Sequence, residues 1–161
     1  MPSPNIRPAT AADAALVLAL VRELAGYERL MDEVVADEAM LAQALFGAAP
    51  RVFCDIAEWQ GEPVGLALWY YSFSTFAGRH GIYLEDLFVR PAFRGHGLGK
   101  ALLAGLAQRC MDENLARLEW SVLDWNAPAI DFYKRQGAQM LDGWTRARIS
   151  DAGLAQLAGR A

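Results

Sequence analysis

The chain has 161 residues, 54% of them hydrophobic and 21% charged, with a formal charge of −4. That is enough apolar material for one packed core, which argues against a disordered chain. A mildly acidic balance argues against a duplex nucleic-acid binder, and no apolar run reaches the length of about 18 residues that a spanning helix needs. One domain over 1–161 is expected. Cys54 and Cys110, with His80 and His96, are too few and too scattered for a disulfide framework or a metal centre, so no metal is expected. Met1-Pro2-Ser3-Pro4-Asn5 has no signal-peptide pattern, and the expected location is cytoplasmic.

The elements alternate along the chain. Residues 5–9 read as a first strand. Thr10 and Asp13 are spaced as a capping box, and Leu16, Leu20, Val21 and Leu24 give the following helix its apolar face, with Gly26 ending or loosening it. Asp37 caps a second helix carrying Met40, Leu41, Ala44 and Leu45, stopped near Gly47 and Pro50. Strands are predicted over 52–59 and 64–73, joined by the turn Gln60-Gly61-Glu62-Pro63. A further strand spans 82–89, a helix 98–114 and a strand 117–123. Asn126 and Pro128 open another helix, closed at Gly137. A last strand is predicted over 144–149, then a short helix capped at Ser150-Asp151. Antiparallel strands passing into βαβ units predict a mixed α/β (α+β) domain.

The most informative segment runs from Leu84 to Lys100: a strand, Pro91, and then Arg94-Gly95-His96-Gly97-Leu98-Gly99-Lys100 opening a helix. Glycines allow left-handed backbone and close approach of a ligand. A helix N-terminus offers N–H groups and positive potential to a phosphate. A Walker A loop is excluded, because Arg94 stands where its first glycine belongs and Ala101 follows Lys100. Glycines at 95, 97 and 99 do not fit the dinucleotide fingerprint either.

The pattern R-x-x-G-x-G over Arg94, Gly97 and Gly99 resembles motif A of the GCN5-related N-acetyltransferases (GNAT). The resemblance covers about residues 5–150. It includes Ile6-Arg7-Pro8-Ala9-Thr10, Tyr83-Leu84-Glu85-Asp86-Leu87-Phe88-Val89, Val122-Leu123-Asp124-Trp125-Asn126 and Asp131-Phe132-Tyr133-Lys134. These stretches, with Ala25-Gly26-Tyr27-Glu28 and Gly143-Trp144, resemble the diamine (spermidine/spermine) and thialysine branch in particular.

That resemblance implies a mixed central sheet of six to seven strands flanked by helices and splayed where acetyl-CoA binds. It also implies acetyl transfer to a small cationic amine by direct attack in a ternary complex. The alternatives are a non-catalytic acyl-CoA sensor and a protein lysine or N-terminal acetyltransferase. Such transfer needs an amine freed of its proton, N–H donors on the carbonyl oxygen and a proton for the departing thiolate. By resemblance Tyr133 donates that proton and Glu85 is the base through water. Leu87, Phe88, Val89, Arg94, Gly95, His96, Gly97, Leu98, Gly99, Lys100 and Asn126 hold acetyl-CoA. Tyr27, Glu28, Glu85, Asp86, Asp142 and Trp144 face the amine.

Simple strand alternation puts Glu85 with Leu87 and Asp86 with Leu84 and Phe88, so both carboxylates reach one cleft only if the strand bulges, as GNAT strands do there. Trp59, Trp69, Trp120 and Trp125 are assigned to core or interface, and His80 and His96 to surface loops. Ser74-Thr75, where the polyamine enzymes carry an acid, and a short segment between Gly137 and Gly143 with the single acid Asp142 depart from those enzymes, and Ser74-Thr75 with Val122-Leu123-Asp124-Trp125-Asn126 resemble the thialysine members more closely. The branch also implies a homodimer.

Overall fold

The computed structural model describes residues 1–160. They form two compact units, 1–126 and 127 onward. The first holds β1 (Asn5–Pro8), α1 (Ala14–Tyr27), α2 (Glu38–Phe46), β2 (Phe53–Trp59), β3 (Glu62–Ser74), β4 (Arg79–Val89), α3 (Leu98–Asp112) and β5 (Leu118–Trp120). The second holds α4 (Ala127–Arg135) and α5 (Asp151–Leu157). Among the described residues no helix is long and apolar enough to cross a membrane.

The sheet order is β1-β2-β3-β4-β5. The first three pairings are antiparallel and β4 runs parallel to β5, with α3 as the crossover that a parallel pair requires. Gln60 (φ 52°) and Gly61 (φ 82°) both adopt left-handed backbone. That is the two-residue turn whose twist matches the strands it joins. Asp37 caps α2 by accepting the Met40 N–H at 2.8 Å.

One sheet face is covered by α1 and α2. Val17, Leu20, Leu24 and Leu45 meet Cys54, Ile56, Leu66, Leu68 and Phe88 in a single buried cluster. Leu20 and Leu24 are buried as expected, Leu16 and Val21 pack partly buried against the same cluster, and Val17 joins the face fully buried. Burial pushes the Cys54 thiol up to about 12, which leaves it a protonated core residue. On the other face the Arg109 guanidinium of α3 lies 5.0 Å from the Trp69 ring centroid, and Trp69 Nε1 donates to Asp55 at 3.0 Å.

Two expected strands are revised. The strand expected over 117–123 is limited to Leu118–Trp120, because it pairs only with Ile82–Leu84. The strand expected over 144–149 is absent: those residues are irregular and exposed, since alternation makes a strand only where a ladder partner exists. Among the described residues the sheet therefore has five strands, not six or seven. The terminal helix α5 is present, but Ser150 makes no side-chain cap to it. His80 lies in β4 and not in a loop, with its ring 5.0 Å from Phe73.

Asp13 ties β1 to α1. Arg7 donates to both its oxygens, at 2.8 and 3.0 Å, and the Thr10 N–H donates at 2.7 Å. These bonds, the one from Arg7 foremost, hold the carboxyl down at about 2. Its stabilisation is therefore complete above the ordinary carboxylate value and is lost as pH falls through about 2. Asp13→Ala is expected to cost about 1–3 kcal/mol, seen as a drop of several degrees in Tm at neutral pH. That drop should shrink in melts run towards pH 2.

Candidate active site

The third and fourth strands pair in register from both ends, but not through the middle. Leu68 is opposite Asp86 and Trp69 is opposite Leu84, so Glu85 is the extra residue of a bulge. The bulge resets the alternation. Asp86 shares its face with Phe88, Leu66 and Leu68, whereas Leu84 pairs with Trp69 on the other face. The expected grouping of Asp86 with Phe88 is therefore met and its grouping with Leu84 is not. Glu85 is exposed at the bulge and Asp86 is partly buried beside it.

The same place is where the sheet divides. Tyr83 Oη and Ser121 Oγ are 2.8 Å apart, and beyond Leu84 the fourth strand has no pairing with the fifth. The backbone of Glu85, Leu87, Phe88 and Val89 thus lies on a strand edge that a ligand can pair with.

Past Val89 a single 3₁₀ turn, Pro91–Phe93, leads into the glycines. Gly95 (φ 83°) and Gly97 (φ 79°) are both left-handed, and a Cβ built on either meets no atom within 4 Å. The space before the loop is open, yet its backbone disfavours any residue but glycine. Gly97 is the N-cap of α3 and gives no side-chain cap. The first-turn N–H groups of Leu98, Gly99 and Lys100 have no acceptor within the helix. With Lys100 and Arg94 exposed around them, this donor set fits a pyrophosphate.

Arg94 is already held. Its Nε donates to the Val89 carbonyl at 3.0 Å, and its guanidinium lies 4.8 Å from the Tyr27 ring centroid and 5.9 Å from that of Phe88. His96 Nδ1 is 3.1 Å from the Phe93 carbonyl, and its ring packs on Trp59 at 4.6 Å.

The C-terminal end of α1 reaches this region. Tyr27 Oη donates to Asn126 Oδ1 at 3.4 Å, so the buried Asn126, Tyr27 and Arg94 form one chain of contacts. Glu28, the C-cap of α1, has its carboxyl raised by burial. Asp86 is pushed up to about 6, first by burial and then by the charges of Glu85 and Glu28. Three carboxylates therefore lie close enough to act on one another, and the Tyr27 ring next to Glu28 joins this end of α1 to Arg94 of the loop. A cation has partners there, and a carboxyl titrating near neutrality can take a proton.

Tyr133, Asp142 and Trp144 belong to the second unit. Tyr133 is buried on α4, while Asp142 and Trp144 are exposed on an irregular segment. Of the tryptophans assigned to core or interface, Trp69 is in the core, at 3% exposure, and Trp125 is 48% exposed. Its ring stands 6.2 Å from Tyr27, and the Arg29 guanidinium covers it at 5.1 Å. Its place in the run Asp124-Trp125-Asn126, next to Asn126, was the available signal.

The sequence model of the Acetyltransferase (GNAT) family matches residues 17–138. The chain is 41% identical to a thialysine N-epsilon-acetyltransferase of Bos taurus, over 96% of this chain and 97% of that protein. It is 28% identical to an L-ornithine N5-acetyltransferase of Arabidopsis thaliana, over 91% and 84%. Among solved structures, an integron cassette protein from the mobile metagenome of V. cholerae superposes with a TM-score of 0.79. That likeness covers 97% of this chain and 98% of the other at 28% identity.

The burial and crowding of Asp86 can be read directly. Carboxyl NMR titration of the folded protein should show Asp86 titrating near 6. Glu28→Gln should move it downward, because a like charge that opposes ionisation is removed. A titration unmoved by that change would separate the two groups.

Proposed function

The chain belongs to the acetyltransferase (GNAT) family and is an N-acetyltransferase; from that premise we propose that it moves the acetyl group of acetyl-CoA to the primary amine of a short diamine or lysine-like amino acid such as thialysine. The observation that carries this reading is the run from the Glu85 bulge to Gly97. Within it, carboxylates, an open strand edge and a phosphate-type loop follow one another along β4 and into α3. The relatives that act on thialysine and ornithine support the substrate class.

The loop residues 94–100 hold the pyrophosphate through backbone N–H groups. Leu87, Phe88 and Val89 receive the extended pantetheine arm along the open edge and donate to the acetyl carbonyl as charge develops there. Asn126 completes the cofactor set. Bound acetyl-CoA supplies the activated acyl group. Glu28, Asp86 and Asp142 draw the cationic substrate, with Tyr27 and Trp144 offering cation–π faces.

An alkylammonium, with a pKa of about 10.4, has no lone pair to attack with. Glu85, coupled to Asp86, takes that proton through water. The amine nitrogen then bonds to the acetyl carbon, the carbon–sulfur bond breaks, and Tyr133 protonates the departing thiolate. The products are an acetamide and the free thiol. Because Asp86 draws the cationic substrate only when ionised, kcat/KM should rise through about pH 6, where Asp86 titrates.

A thiol-release assay across spermine, spermidine, short diamines, lysine and thialysine tests the reading. Short diamines or lysine-like amino acids should have the highest kcat/KM; a value for spermine above all of them would refute the assignment. Tyr133→Phe should lower kcat by about a hundred- to ten-thousandfold with acetyl-CoA affinity little changed. Turnover within twofold of wild type would remove Tyr133 from the mechanism.

The loop has its own test. Gly97→Val puts a branched side chain on left-handed backbone at the mouth of the loop. Calorimetry should show acetyl-CoA binding abolished in a protein that still melts cooperatively. Wild-type affinity would displace the cofactor from this loop.

A further inference from the structure

Arg29 and Trp125 have no part in the roles above, yet they are fixed to one another. Arg29 follows the C-cap Glu28 and has φ 61°, left-handed for a residue with a side chain. Its N–H donates to the Gly26 carbonyl at 3.2 Å, so it closes the end of α1. The guanidinium lies 5.1 Å from the centroid of the Trp125 ring. No carboxylate lies within 4.0 Å of it among the described residues. Trp125 in turn stands 6.2 Å from Tyr27, whose other neighbours are Arg94 and Asn126. A fixed cation without an anionic partner is thus placed at the edge of the amine region.

Its neighbour in the chain carries the opposite charge. Glu28 and Arg29 present an anion and a cation from consecutive residues, the complement of an α-ammonium and an α-carboxylate on one carbon. A polyamine offers Arg29 only further positive charge, which repels it.

We propose that Arg29, held on Trp125, binds the α-carboxylate of an amino-acid substrate whose α-ammonium pairs with Glu28, and so selects lysine-like amino acids over diamines and polyamines. This rests on the acetyltransferase reading of the site. The distal amine reacts at Glu85 and Asp86 while the zwitterionic end stays at the tip of α1. Arg29 is a specificity residue and takes no proton.

The test compares thialysine with bis(2-aminoethyl) sulfide, the same amine without the carboxylate. Wild type should favour thialysine. Arg29→Gln should lower kcat/KM for thialysine by about ten- to a hundredfold, the worth of a charge-assisted hydrogen-bonded pair, mostly through KM. The diamine should be unchanged or improved, and Arg29→Lys should keep much of the preference. Calorimetry of thialysine binding should show the same loss in Arg29→Gln, with an unchanged Tm. Equal falls for both compounds, an unaltered ratio, or a wild type that already favours the diamine would overturn the proposal. Should wild type turn over neither compound, the acetyltransferase reading falls separately, and the calorimetric comparison still decides Arg29.

Discussion

The site depends on one fault in backbone pairing. Buried N–H and C=O groups need partners, and β4 satisfies its own on both sides only as far as Leu84. Past that point the bulge at Glu85 breaks the ladder with β3, and β5 ends at Trp120. The strand then continues as an edge inside a domain that is otherwise covered on both faces. The carboxylates, the open edge and the approach to the glycine loop all follow from where pairing fails.

The surroundings hold that fault in place. Phe88, 4% exposed, anchors β4 in the core just beyond the bulge. Arg90 is tied to Glu23 of α1 by a two-nitrogen contact and to the Pro63 carbonyl. Arg94 reaches back to Val89 and stacks on Tyr27. The end of the strand, the loop and the tip of α1 are thereby fastened to one another. That matters for chemistry whose groups must be in place before the substrates arrive.

Much of this was legible in the residues. Thr10 and Asp13, Asp37, Gln60-Gly61 and the Arg94–Lys100 loop all carry short-range signals, since a cap or a turn is decided within four residues. The bulge was not visible as a pattern, because Leu84 and Phe88 are both buried and match uninterrupted alternation equally well. Only the resemblance suggested it. The shortness of β5 and the absence of a strand over 144–149 depend on which partner is available, a long-range matter that local alternation does not encode. The contact of Arg29 with Trp125 was not legible for a related reason: it joins residues 96 positions apart, and a tryptophan in an apolar-rich chain reads as core or interface until its neighbours in space are known.

The open edge also bears on how the protein behaves when its ligand is scarce. A strand with unused hydrogen-bonding groups is a template for another chain, and edge-to-edge pairing is a common route into aggregates. Here the exposed stretch is short, begins at a bulge and carries two adjacent acids, Glu85 and Asp86. A second chain laid along it would bring its own strand against a bulged, negatively charged edge. Neutralising these acids would therefore remove negative charge from an unpaired strand edge, and edge-to-edge pairing is the hazard that such charge opposes.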